Sequence, residues 1–227
     1  MKKDIKIANY SDLKPIKVIE SAEKMVNISQ LLKDCICVYL PQSNDMINYV
    51  GGDLWLRESV ALKIERISIQ LRLKYPTYRL KIVYGYRHLE IQTKRFYLRR
   101  DKLKESNPEM NEEDLLELAN TMVANPETAG HPTGGAVDLT ITTPNGDLDM
   151  GTEYADFSMP EEIKMYCPHL TETQKSNRKL LCDLMITEEF APFYGEWWHY
   201  SYGDREWAWF YNKPNAIYSQ IEFRNIF

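Results

Sequence analysis

The chain has 227 residues, with 28 Lys plus Arg against 33 Asp plus Glu and a net charge of -5. A chain of this size buries roughly three quarters of its unfolded surface, so it needs no disulfide framework to fold. Its acidic balance, with no basic run carrying interleaved aromatics, argues against a nucleic-acid partner. In chain order, the N-terminus opens on two lysines, but no apolar stretch of about 7–15 residues follows as a signal peptide requires. No apolar run approaches the ~18 residues that span a bilayer, so no membrane partner and a cytoplasmic location are expected. Residues 35–40 (CICVYL) suit a short buried strand. Residues 56–74 set Val60, Ile64, Ile67 and Leu71 at intervals of three and four, the stripe of an amphipathic helix.

LKIVYGYRH reads as a strand ending near Arg87, followed by a strongly basic helix from Leu89 to about Leu103. Asn111, followed by Glu112, Glu113 and Asp114, marks a further helix start reaching to about Val123, with acidic groups at the positive end of its dipole. Residues 136–144 read as a strand, and Asn145-Gly146 is a hairpin-turn signal. A helix is expected over 171–187. The aromatic-rich segment beyond it fits two strands joined near Gly203-Asp204. Strands and helices mix without βαβ alternation, which predicts one α+β domain over 1–227, with a mainly antiparallel central sheet flanked by helices. Four cysteines, at Cys35, Cys37, Cys167 and Cys182, fit no zinc-ribbon spacing and read as free thiols.

The most informative stretch is His131-Pro-Thr-Gly-Gly-Ala-Val-Asp138. His and Asp both ligate zinc, at about 2.0–2.2 Å. Seven extended residues would span ~23 Å, so the chain must fold back for both to reach one ion. Pro132, Gly134 and Gly135 supply the turn, leaving Asp138 early on the following strand. His199, in Glu196-Trp-Trp-His199, would complete a set of three ligands. Glu196 then remains free as a general base on the attacking water. Residues three apart on a regular strand face opposite ways. Glu196 and His199 can therefore share a site only if Gly195 or a bulge places Glu196 on an irregular lead-in. Arg87, at a strand end, is a candidate for stabilising the oxyanion formed when a peptide carbonyl is attacked. His88 and His169 are the competing imidazoles; structural or solvent roles are expected for both.

With these residues in view, the chain resembles the D-alanyl-D-alanine dipeptidase family of the vancomycin-resistance type, within the zinc D,D-peptidases. The shared pattern H-x-x-G-x-A-x-D is met by His131, Gly134, Ala136 and Asp138, and E-x-W-H by Glu196, Trp198 and His199. Tyr86-Arg87 matches the upstream pair that closes a strand, and Asp149-Met-Gly-Thr152 the segment after the hairpin. The resemblance implies Zn2+ held by His131, Asp138 and His199, with Glu196 as catalytic base and Arg87 stabilising the tetrahedral intermediate. It also implies a small closed pocket that takes the D-Ala-D-Ala dipeptide as substrate. The chain departs from the family at Ala129, where a Ser is common, at Thr133, where a basic residue is common, and over residues 153–157. Two other readings stand beside it. One is a peptidoglycan D,D-carboxypeptidase or endopeptidase with an open cleft; the other is a zinc-stabilised binding module without catalysis.

Overall fold

The computed structural model describes residues 6–38 and 45–224, and every statement below concerns these. The expected apolar helix is α4 (Glu58–Lys74), and its four stripe residues are fully buried. It packs with α7 (Glu172–Thr187) against one face of a sheet. Thr171 caps α7, and its hydroxyl and the Gln174 side chain close a capping box. The sheet runs in the order β2 (Ile36–Cys37), β4 (Arg79–Tyr84), β5 (Ala136–Thr143), β8 (His199–Ser201), β7 (Ala191–Pro192). The Asn145-Gly146 turn returns a short β6 (Gly146–Asp147) onto β5, with Gly146 at a φ of 112°.

The fold is α+β, but the sheet is mixed where a mainly antiparallel one was expected. β2 runs parallel to β4, while the other pairings are antiparallel. The chain between β2 and β4 contains α4, long enough a crossover to return in the same direction. β2 also corrects the expectation of a buried strand. It is an edge strand with Ile36 45% exposed and Val38, just past its end, 38% exposed, while Cys37 and the preceding Cys35 turn toward the core. Residues 39 and 40 of that expected strand lie outside the described residues.

The basic segment forms α5 (Leu89–Ser106), and Asn111 caps α6 (Glu112–Asn120) by accepting from the Asp114 backbone N–H. The second strand expected after Gly203-Asp204 is instead a helix, α8 (Arg205–Phe210). Gly203 turns the chain at a φ of 78°, and Asp204 Oδ1 accepts from the Trp207 N–H at 2.9 Å, which nucleates a helix in place of a hairpin. The aromatic alternation that suggested a strand is carried by Trp207 and Trp209 within that helix.

Two features of the sheet aim residues at the site. On β5, Val137, Leu139 and Ile141 enter the core beneath α4 and α7, so Asp138 faces the opposite side. On β8, Tyr200 enters the same core and His199 therefore shares the face of Asp138. On β4 the register shifts between Ile82 and Tyr84. This irregularity moves Tyr84 off the face of Leu80 and Ile82.

Candidate metal centre

Directly opposed residues on antiparallel neighbours bring their Cβ atoms to about 5 Å. Asp138 is opposed to His199 on one side and Tyr84 on the other, so a single cross-strand row carries all three. His131 joins from a tight 3-10 turn over His131–Thr133, closed by Gly134 in the left-handed region at φ 73°. This turn is the fold-back that the seven-residue spacing demanded. His131 Nε2 lies 3.3 Å from Asp138 Oδ2, and His199 Nδ1 lies 2.9 Å from Asp138 Oδ1. One donor atom from each of the three lies within 4.8 Å of the others.

The surrounding groups fix these donors. His131 Nδ1 sits 2.7 Å from the Gly85 carbonyl, so the proton belongs on Nδ1 and Nε2 presents a lone pair. The Tyr154 hydroxyl donates to Asp138 Oδ2 at 3.0 Å. His199 Nε2 faces Glu206 Oε2 at 3.7 Å. Burial pushes His131 down to about 4. Burial opposes charge on Asp138 too, but the two imidazoles outweigh it and hold the carboxyl well below its usual range. For His199, burial is outweighed by the Asp138 hydrogen bond and charge, leaving it at about 9. The ionised carboxylate held between the two imidazoles supplies the negative charge that a divalent cation would meet.

Tetrahedral ligands about 2.0–2.2 Å from one ion sit about 3.4 Å apart. The 3.3 Å between His131 Nε2 and Asp138 Oδ2 meets that spacing. The donor types, the His131 tautomer and this one spacing fit zinc.

Glu196 stands on the turn that leads into β8. The Glu196 N–H donates to the Phe193 carbonyl, and the His199 N–H donates to the Glu196 carbonyl at 3.2 Å. The three-residue spacing is therefore spanned by a turn, and both side chains line one cavity. Burial pushes the Glu196 carboxyl up to about 7. Arg87 lines the same cavity, its guanidinium 4.6 Å above the Tyr84 ring, with Nη1 donating to Gln92 Oε1 at 2.7 Å. Its Nε has no hydrogen-bond partner among the described residues. The cavity measures about 280 Å³ and also receives Trp198, Phe193 and Ala129. Arg95, Arg99 and Lys102, on one stripe of α5, line it too.

The competing histidines lie elsewhere. His88 is buried, accepts from the Glu90 N–H to cap α5 and stacks on Tyr49 at 4.3 Å; His169 is exposed. Thr133 is buried and its hydroxyl bonds within its own turn, donating to the Gly130 carbonyl at 2.6 Å.

Sequence reasoning missed Tyr154, Gln92 and Glu206. Tyr154 lies in the stretch 153–157, where the resemblance was poorest, and Glu206 on the helix misread as a strand. The loop bearing Tyr154 is anchored by the Asp149–Thr152 motif. Asp149 accepts from Gln174 of α7, and Thr152 Oγ1 accepts from Trp197 Nε1 at 2.9 Å. Arg178, 1% exposed, donates from Nε to the Met150 carbonyl at 2.7 Å and from Nη2 to the Glu162 carbonyl at 2.8 Å. It also bonds the Lys164 carbonyl.

Two imidazoles and a carboxylate converging in one cavity, with a glutamate and a guanidinium beside them, mark a metallopeptidase. The chain belongs to the peptidase M15 family, described as D-ala-D-ala dipeptidase, which it matches over residues 51–221. A D-alanyl-D-alanine dipeptidase of Synechocystis sp. is 33% identical over 103 residues, covering 41% of this chain and 42% of that protein. The match thus spans less than half the length of that curated relative. Solved structures give more distant likenesses. The vancomycin resistance D,D-pentapeptidase VanY in complex with Zn(II) gives a TM-score of 0.41 at 16% identity, covering 82% of this chain and 88% of that one. The LdcB LD-carboxypeptidase gives 0.46 at 20%, covering 82% and 70%.

Proposed function

We propose that this chain is a single-domain zinc peptidase that hydrolyses a short peptide, with D-alanyl-D-alanine as substrate. The observation that carries the reading is the convergence of His131 Nε2, Asp138 and His199 Nδ1 in a cavity that also holds Glu196. Those three residues hold the zinc, which supplies Lewis acidity when bound, acidifying a water and polarising the scissile carbonyl.

The remaining chemistry belongs to the chain. Glu196, held near neutrality by burial, takes a proton from the attacking water. It returns that proton to the amine nitrogen as the C–N bond breaks. Arg87 stays protonated and presents its guanidinium to the oxygen that gains negative charge as the tetrahedral intermediate forms. Gln92 and the Tyr84 ring fix the guanidinium, so little reorganisation accompanies that charge. Arg99 and Lys102 on the α5 stripe suit the free carboxylate of a dipeptide, while Arg95 is already paired with Asp45 at 2.6 Å. A cavity of about 280 Å³ lies at the small end of ligand pockets, roughly 300–1,000 Å³, and favours a dipeptide over a wall polymer.

The test is a dipeptide panel, D,D against L,L and L,D, with intact peptidoglycan alongside, run with and without chelator. Chelator-sensitive release of D-alanine from the D,D-dipeptide is expected. Turnover of wall polymer but not dipeptide would favour an open-cleft carboxypeptidase. Zinc content without turnover of any peptide would favour a binding module.

A further inference from the structure

Part of the cavity wall comes from a segment ahead of the family match, which begins at residue 51. Ala8 and Leu13, on either side of the start of α1 (Tyr10–Leu13), line the cavity, and they are only 5% and 6% exposed.

This segment is clamped to two elements that themselves shape the cavity. Toward α6, the Glu117 carboxylate accepts the Tyr10 N–H at 2.9 Å and the Ser11 N–H at 2.8 Å. The Tyr10 hydroxyl donates to Glu127 at 2.5 Å. The chain running on from α6 contributes Met122, Val123 and Ala129 to the cavity. Toward α8, Arg205 Nη1 donates to the Lys14 carbonyl at 2.6 Å. The next residue, Glu206, lines the cavity beside His199. The segment therefore bridges from the α6 side of the cavity to the metal side.

We propose that residues 8–14 form a strap that closes the cavity and sets the length of peptide it accepts, with Leu13 as the wall and Glu117 as the latch. The proposal rests on the peptidase reading for its substrate, but the wall itself can be tested without one. An apolar side chain packed into a cavity of dipeptide size removes the space a third residue would occupy. Glu117 holds the strap through two backbone N–H groups, so removing its carboxylate takes away both of those hydrogen bonds at once.

Two variants test this, Leu13→Ala, which opens the wall, and Glu117→Ala, which releases the latch. Each is checked for an unchanged circular dichroism spectrum. In the first measurement, kcat/KM is compared for di-D-alanine and tri-D-alanine. The tri-to-dipeptide ratio is expected to rise at least tenfold in both variants. The second measurement needs no substrate. In an Ala129→Cys background, the rate of modification by a bulky maleimide is followed at that position by peptide mapping, which separates it from the four native cysteines. Both variants are expected to raise the rate at least tenfold. An unchanged labelling rate would overturn the strap. A faster rate with an unchanged peptide ratio would overturn its role in specificity. If the unmodified protein hydrolyses neither peptide, the peptidase reading fails, and the labelling rates still decide the wall.

Discussion

Replacing Glu196 by Gln keeps the side chain's size and its place on the turn into β8 while removing its basicity. Glu196 is not one of the three clustered donors, so the variant should still carry about one zinc per chain. Burial holds the native carboxyl near 7, where a general base combines adequate basicity with a useful ionised fraction at neutral pH. Assistance of this kind is worth roughly 10²–10⁴-fold, or about 3–5 kcal/mol of barrier at about 1.4 kcal/mol per decade. The expected loss in kcat is of that size, with KM for di-D-alanine changed little. The pH profile should agree. The raised carboxyl is protonated and inactive below its pKa, so kcat/KM of the native enzyme falls as pH drops. A bound dication would pull that limb down from about 7 toward the ordinary 4.5. The acid limb should be absent in the Gln variant. Zinc is measured by atomic emission and turnover by D-alanine release. A variant that keeps its zinc and turns over within threefold of the native rate would remove Glu196 from the chemistry.

Three further outcomes follow from the same geometry. Tyr154→Phe deletes the hydroxyl that donates to Asp138 Oδ2. Zinc affinity should fall about 10–100-fold in a chelator competition, and an unchanged affinity would contradict the orienting role. Arg87→Lys keeps the charge but replaces the planar guanidinium fork with a compact ammonium that loses the fixed geometry Gln92 and Tyr84 impose, so kcat should drop about 10²–10³-fold with zinc content unchanged. Activity near native would move oxyanion stabilisation elsewhere. Arg178→Ala leaves three carbonyls of the Tyr154 loop without their buried donor. At about 1–3 kcal/mol for each acceptor left unsatisfied, a total cost of about 3 kcal/mol or more corresponds to a fall in melting temperature of roughly 6 °C or more for a chain of this size. A fall below 3 °C in a thermal melt would show that the loop holds without it.

Local rules carry through wherever one side chain decides a local conformation. Asn111 caps the helix it was expected to start, and Asn145-Gly146 turns the hairpin. The stripe of α4 is buried because its spacing matches the helical repeat. Such rules fail where two conformations share one pattern. Trp207 and Trp209 alternate as a strand would, but Asp204 supplies a cap that periodicity does not count. CICVYL is apolar enough for a core strand, yet among the described residues no strand pairs with the outer side of β2, which leaves it at an edge.

The sequence by itself determined the candidate residues His131, Asp138, His199, Glu196 and Arg87, and the need for a turn between the first two. These follow from side-chain chemistry and from the reach of a short chain. The tertiary structure alone decided that Asp138 and His199 are directly opposed across β5 and β8, that Tyr154 and Glu206 stand behind them, and that Gln92 holds Arg87. It alone brought residues 8–14 to the cavity. Strand register and the docking of distant segments depend on how whole faces are buried together, a property of the packed chain that no short stretch of residues encodes.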